Sequence, residues 1–174
     1  MIVGIRNDNN MNITEKQAAY HKAIEEIDAV LQGEQNMILK MSTINCIIRD
    51  NFPNYFWIGF YCVNAGALIV GPYQGTLGCL HISFDRGVCG RAVRTQTTQI
   101  VEDVHMDLEH IACDSRTNSE IVVPVFDNDG QLIAVFDIDS TEKASFDKID
   151  QINIEAILKK HFYENKLEKQ YIVL

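Results

Sequence analysis

Apolar residues first recur along this chain at helical intervals and then, from Tyr55 onward, in short β-branched and aromatic runs. Tyr20, Ile24, Ile27 and Leu31 fall at steps of four, three and four, one stripe of an amphipathic helix that Thr14 can cap and Gly33 interrupts. Met37, Met41, Ile44 and Ile48 repeat those steps, and the cluster Asn51-Phe52-Pro53-Asn54 ends this second helix. Strands are predicted over Tyr55 to Val63, Leu68 to Val70 and Leu80 to Ile82, the first two joined through Asn64-Ala65-Gly66. A short helix near Gly90 to Arg94 precedes strands at Gln99 to Val101, Ile121 to Phe126 and Gln131 to Asp137, and the turn Asp127-Asn128-Asp129-Gly130 makes the last two a hairpin. Ser145 is the predicted cap of a final helix running to about Leu167, with Ile149, Ile152, Ala156 and Ile157 on its apolar face. Helix, helix, antiparallel strands and helix is an α+β order, with helices covering one face of a mostly antiparallel sheet.

Composition narrows the class. A chain of 174 residues with 47% hydrophobic and 22% charged side chains holds one globular core. The expected division is a flexible segment over residues 1–13, a single domain over 14–167 and a tail over 168–174. Fifteen basic against 24 acidic residues give a net charge of −9, which repels nucleic acid and anionic lipid and favours a small-molecule or protein partner. The amino terminus lacks the apolar region of a secretory signal, and no apolar run reaches membrane-spanning length, so a cytoplasmic address is expected. In that compartment an odd count of five cysteines argues against a permanent disulfide framework but allows a transient bond.

The cysteines carry the first hint of chemistry. Cys79, Cys89 and Cys113 stand beside glycines and turn residues, where a thiol is partly exposed and open to reaction. Cys46 falls within a predicted helix and Cys62 within an apolar strand, so both read as structural. His81, His105 and His110 could join Cys79 and Cys113 around a metal. The only close sets are Cys79-x-His81 and His110-x-x-Cys113, without the compact pairs zinc prefers, so no metal is expected.

Six stretches occur in one order: Trp57-Ile58-Gly59-Phe60-Tyr61, Gly71-Pro72-Tyr73-Gln74-Gly75, Arg86-Gly87-Val88-Cys89-Gly90, His110-Ile111-Ala112-Cys113-Asp114, Asn118-Ser119-Glu120-Ile121-Val122-Val123-Pro124 and Asp137-Ile138-Asp139-Ser140. Together they resemble the free methionine-(R)-sulfoxide reductase family, small proteins of a single GAF domain, over roughly residues 14 to 165. The resemblance implies a GAF fold, a six-stranded antiparallel sheet between helical layers, and a homodimer. It assigns Cys113 as the cysteine that attacks the sulfoxide, Cys79 as the resolving cysteine and Cys89 as a third that assists or substitutes. His81 departs from the pattern, since relatives often carry arginine there.

The residues support that chemistry directly. A thiolate attacks the electrophilic sulfur of a sulfoxide and is left as a sulfenic acid, which a second thiol clears as a disulfide. An external dithiol such as thioredoxin then reopens the disulfide, and no bound cofactor is required. Recognition of the free amino acid calls for an ammonium site, a carboxylate site and an apolar slot. Asp137 and Asp139 share one face of a strand by its two-residue period and can converge with Glu120 from the next strand. Crowding raises the pKa of at least one of them, so the cluster can hold the ammonium and supply the proton; which member does which is left open. Trp57 and Tyr61, four apart on one strand, match the family's aromatic pair around the methyl-sulfur end. The substrate carboxylate is expected at backbone N–H groups from Ile111 through Ala112 to Cys113. The competing reading is a stand-alone GAF sensor that signals through its first helix, on the same fold but without use for three loop thiols. A third reading makes that first helix a dimerisation element, which suits either activity.

Overall fold

The computed structural model describes residues 11–111 and 113–165, so the predicted tail and most of the predicted N-terminal segment lie outside the described residues. Helix α1 spans Ile13–Val30 and α2 spans Met37–Asn51. The cap of α1 is Asn12 rather than Thr14: the Glu15 N–H donates to Asn12 Oδ1 and the Asn12 N–H to Glu15 Oε2, both at 3.0 Å. That reciprocal pair satisfies two N-terminal donors, which leaves Thr14 inside the first turn.

Six strands follow in an antiparallel sheet: β1 Tyr55–Asn64, β2 Ala67–Gln74, β3 His81–Ser83, β4 Gln99–Val101, β5 Ser119–Phe126 and β6 Leu132–Ser140, in the order β3-β2-β1-β6-β5-β4. β1 and β2 close through Ala65 and Gly66 at φ 47° and 86°, the two positive values a tight hairpin needs. Helix α3, Gly87–Thr95, starts earlier than predicted and takes Cys89 out of the loops into its first turn. Helix α4 spans Lys148–Leu158, and Lys159–Tyr163 widens into one π turn. Asp147 caps α4 with Asp150 returning the bond, whereas the Ser145 hydroxyl donates to Ser140 Oγ at 2.8 Å. The expected apolar face of this helix is also corrected. Ile154, Ile157 and Leu158 are buried while Ile152 and Ala156 face water, and its predicted end at Leu167 lies outside the described residues.

The sheet divides two cores by its two-residue period. Ile58, Phe60, Ile121, Val123, Phe136 and Ile138 point to the face covered by α1, α2 and α4, where they meet Tyr20, Ile44, Ile48 and Ile154. Trp57, Tyr61, Val122 and Val135 point to the opposite face, against Val88, Cys89 and Ala92 of α3. Helices therefore cover both faces, as the family resemblance implies, and not one alone. The second face holds the conspicuous chemistry.

Candidate active site

Three neighbouring strands set the floor of a pocket. Register places Trp57 opposite Asp139 and Asp139 opposite Glu120, while Gly59, Asp137 and Val122 form the next row. Glu120 and Asp137 are buried and Asp139 half-buried, so three carboxylates meet on one small patch. Burial first, then the charges of Asp139 and Glu120, holds the Asp137 carboxyl well above its ordinary range; burial and Glu120 do the same to Asp139, against a bond from Thr117. Glu120 Oε2 and Asp137 Oδ1 have no hydrogen-bond partner among the described residues. A buried oxygen without a donor is costly, and two of them on residues that line one pocket suit it to a cationic or protonated ligand. His110 Nδ1 stands 3.3 Å from Glu120 Oε2, close enough for charge contact though without hydrogen-bond geometry.

An aromatic wall rises beside the carboxylates. Trp57 stacks on Tyr61 at 5.5 Å between ring centroids and on Tyr73 at 5.4 Å, and its Nε1–H donates to the Thr76 carbonyl at 3.0 Å. Gly59 admits this stack, because a Cβ there would stand 2.3 Å from Tyr73 Cβ and 2.9 Å from the Trp57 ring. Burial, then the nearby Asp137 charge, keeps the Tyr61 phenol protonated.

Two loops roof the pocket and are joined by a disulfide between Cys79 and Cys113, with a Cα–Cα distance of 5.5 Å. The sequence expected this pair through the family resemblance. Asp114 accepts from Thr76 Oγ1 at 2.6 Å and from Arg116 Nη2 at 2.7 Å, which ties one loop to the other independently of the sulfurs. Arg116 and then Thr76 hold the Asp114 carboxyl below the usual range. Arg91 binds Asp107 through both Nη atoms, and Arg94 binds Glu109, so the stretch leading to Cys113 is anchored on α3. The pocket has a cavity volume of about 30 Å³. That interior holds about two waters.

The remaining predictions separate. Cys89 is corrected: it is buried in α3, its Sγ 3.5 Å from Asp137 Oδ2, and burial followed by the Asp137 and Glu120 charges holds its thiol well above the ordinary range. The flanking glycines that suggest a loop serve close packing instead, since a Cβ on Gly90 would stand 2.8 Å from the Phe84 carbonyl. Cys46 faces solvent on α2, while Cys62 is a core thiol that burial pushes up to about 11. Ile111 lies over Gly87 at the pocket edge, and Ala112 lies outside the described residues. The Cys113 N–H donates to the Ile111 carbonyl at 2.9 Å, so it is engaged rather than offered to a substrate carboxylate. His81 is exposed on β3 and His105 bonds Asn118, so the histidine-cysteine metal set does not assemble. Sequence reasoning used His110 only as a metal ligand and missed Thr117; the His110-Ile111-Ala112-Cys113 spacing was the available signal for the first.

Residues 49–158 match the GAF domain family. A free methionine-R-sulfoxide reductase of Saccharomyces cerevisiae is 36% identical over 83% of this chain and 84% of its own length. Another, from Escherichia coli, is 35% identical over 85% of this chain and 87% of its own. Among solved structures, the Neisseria meningitidis free methionine-R-sulfoxide reductase in complex with its substrate superposes with a TM-score of 0.80 at 37% identity, covering 88% of this chain and 93% of that one. With the motifs in register and relatives matched along nearly their whole length, this chain belongs to the free methionine-R-sulfoxide reductase family of GAF-domain oxidoreductases.

Proposed function

We propose that this chain reduces free L-methionine-(R)-sulfoxide to methionine by thiol chemistry. The observation that carries the reading is a Cys79–Cys113 pair whose Cys113 lines the same pocket as Glu120 and Asp137, each with a carboxylate oxygen that has no partner among the described residues. The relatives' names and the Neisseria complex support the substrate. In the reduced enzyme the Cys113 thiolate attacks the sulfoxide sulfur, the oxygen passes to Cys113 as a sulfenic acid, and methionine leaves with the electron pair. The Cys79 thiol then displaces water from the sulfenic acid and closes the disulfide. An external dithiol, with thioredoxin as the proposed donor, opens it by exchange and is itself oxidised.

Each wall has a role in this scheme. Glu120, Asp137 and Asp139 take the ammonium and, through a carboxyl held protonated by burial, supply the proton that the leaving oxygen needs. Trp57 and Tyr61 receive the methyl-sulfur end, and backbone at Ile111 and Ala112 takes the carboxylate. Cys89 is a reserve thiol only after a rearrangement that uncovers it. A cavity of about 30 Å³ cannot hold an amino acid, so the oxidised roof opens before the next substrate enters. The enzyme works as a cytoplasmic homodimer in this reading, without a resident cofactor. Incubation with racemic free methionine sulfoxide and a dithiol, with the two epimers quantified separately, should consume the R epimer alone. If both epimers remain untouched, the protein is a sensor and not a reductase.

A further inference from the structure

Beneath the disulfide, donors of two kinds come together on the pocket floor. Cys89 Sγ, a Glu120 carboxylate oxygen and an Asp137 carboxylate oxygen all lie within 4.8 Å of one another. The three side chains are buried, with 4%, 5% and 6% of their surface exposed. Glu120 Oε2 and Asp137 Oδ1 have no hydrogen-bond partner among the described residues, so two of the donor groups, both on residues that line the cavity, have unused capacity. All three residues line the pocket, which leaves one side of the set open to an arriving ion.

We propose that Cys89, Glu120 and Asp137 form a binding site for a thiophilic divalent cation of the zinc type, which excludes the substrate ammonium from the same floor. Ligands around tetrahedral zinc, at about 2.3 Å for sulfur and about 2.0 to 2.2 Å for oxygen, stand roughly 3.5 Å apart. Contracting the present set to that spacing takes about an ångström, within reach of side-chain rotation. Three protein donors and an open fourth position for water is the arrangement of zinc sites that remain accessible. Magnesium or calcium would find too few oxygens and a sulfur of the wrong softness. A simple ammonium would use the carboxylates and leave the thiol idle. Cys89 also sits in the first turn of α3, whose amide dipoles favour a thiolate once the cation arrives. On binding, the thiol proton and the proton held on the carboxyl cluster leave to water, the ion sheds three of its waters, and one sulfur-metal and two oxygen-metal bonds form, with no change of oxidation state. His110, already 3.3 Å from Glu120 Oε2, steadies that carboxylate from outside the set.

The metal site stands on geometry alone; its consequence, inhibition, rests on the reductase reading. The binding test uses the Cys46→Ser protein with its Cys79–Cys113 disulfide intact, so that the surface thiol and the roof thiols are silent; Cys62 is buried in the opposite core. Titration with Cd2+ should give one equivalent and a sulfur-to-metal charge-transfer band, which Zn2+ displaces. Cys89→Ser should lose the band and at least tenfold in affinity, and Glu120→Gln should keep the band while weakening binding by roughly tenfold. Absence of the band, or its survival in Cys89→Ser, overturns the site. Competition is read without turnover in the Cys46→Ser/Cys79→Ser/Cys113→Ser protein, where Zn2+ should abolish calorimetric binding of free methionine. If methionine binds equally with and without Zn2+, the exclusion is wrong. If neither racemic sulfoxide is reduced nor methionine bound, yet the band appears, the reductase reading fails and the metal site stands.

Discussion

The two faces of the sheet bury aspartates in opposite ways. On the face covered by α1, α2 and α4, Asp150 is fully buried and receives Lys16 Nζ at 2.6 Å, the Tyr20 hydroxyl at 2.9 Å and the Tyr55 hydroxyl at 2.8 Å. Its charge is balanced and its oxygens are occupied, the condition under which a buried ion is tolerated. On the α3 face, Asp137 is also buried but has like charges around it, a weak thiol donor and an oxygen with no partner among the described residues. The first arrangement fastens α1 to α4, while the second stores an unmet demand that a ligand can satisfy. Among the described residues the other buried oxygen without a partner is the neutral amide of Asn45 on α2, so the charged demand is gathered on the α3 face, which is what a binding site looks like from its polar groups.

The sharpest test of that division sets one cysteine against another. Cys113→Ser should lower turnover by roughly three orders of magnitude or more, since a hydroxyl near neutral pH is a far weaker nucleophile than a thiolate. Cys62→Ser, within the helix-covered core, should leave kcat/KM within about twofold while lowering the melting temperature through a buried hydroxyl. Steady-state kinetics and a thermal melt on both variants separate the faces. Substantial turnover in Cys113→Ser would move the nucleophile elsewhere.

Asp150→Asn should be the mirror image, with its effect on stability. It leaves the Lys16 ammonium, which is only 7% exposed, with Asp147 at 3.0 Å as its remaining carboxylate and a neutral amide in place of the other, a loss of about 2 kcal/mol for one charge-assisted bond. Activity per folded molecule should stay near that of the parent. A urea titration with the midpoint unmoved would show that this network does not hold α1 to α4.

How much of this contrast was legible beforehand depends on distance along the chain. The two-residue period put Trp57 with Tyr61 and Asp137 with Asp139, each pair on one face of its strand, and the strand register then gathers both pairs and Glu120 on one face of the sheet. Helical stripes placed Tyr20, Ile27, Ile44 and Ile48 in the core. What stayed hidden were choices settled by packing. Glycines beside Cys89 read as a loop because their need for close approach to Phe84 and Ile111 is invisible in sequence. The π turn at Lys159–Tyr163 presents its His161 carbonyl to Lys40 Nζ at 2.8 Å, a bond from a residue far away in the chain. Asn12 and Asp147 outcompeted Thr14 and Ser145 as caps because each found a reciprocating acid three residues on.

On the α3 face, Glu120→Gln should reduce kcat/KM for the free sulfoxide by more than roughly tenfold, through loss of a charge-assisted contact to a partly desolvated ammonium. Stability should hold or rise, because the substitution removes one of three crowded carboxylates. An N-acetylated substrate should suffer a comparable loss with the parent enzyme. Equal rates on acetylated and free substrate would remove the ammonium site from the mechanism.

The smallest expected effect is a slope. Asp137 and Asp139 have folded pKa values raised above the ordinary 3.8, by burial first and by neighbouring carboxylates second. Between 3.8 and the raised values the folded protein therefore binds more protons than the unfolded chain, so stability declines as pH rises through that window. Carboxylates held low by cationic partners, such as Asp107 beside Arg91, act in the opposite sense, but their window lies below the ordinary value and does not overlap. Urea midpoints measured from roughly pH 4 to 7 should slope downward more steeply in the parent than in Asp137→Asn, a difference from which the opposing rise due to His161, whose imidazole burial holds below its ordinary 6.5, cancels. Parallel curves for the parent and Asp137→Asn would mean that the demand on the α3 face is already met in the folded protein, and the contrast between the two faces would lose its energetic basis.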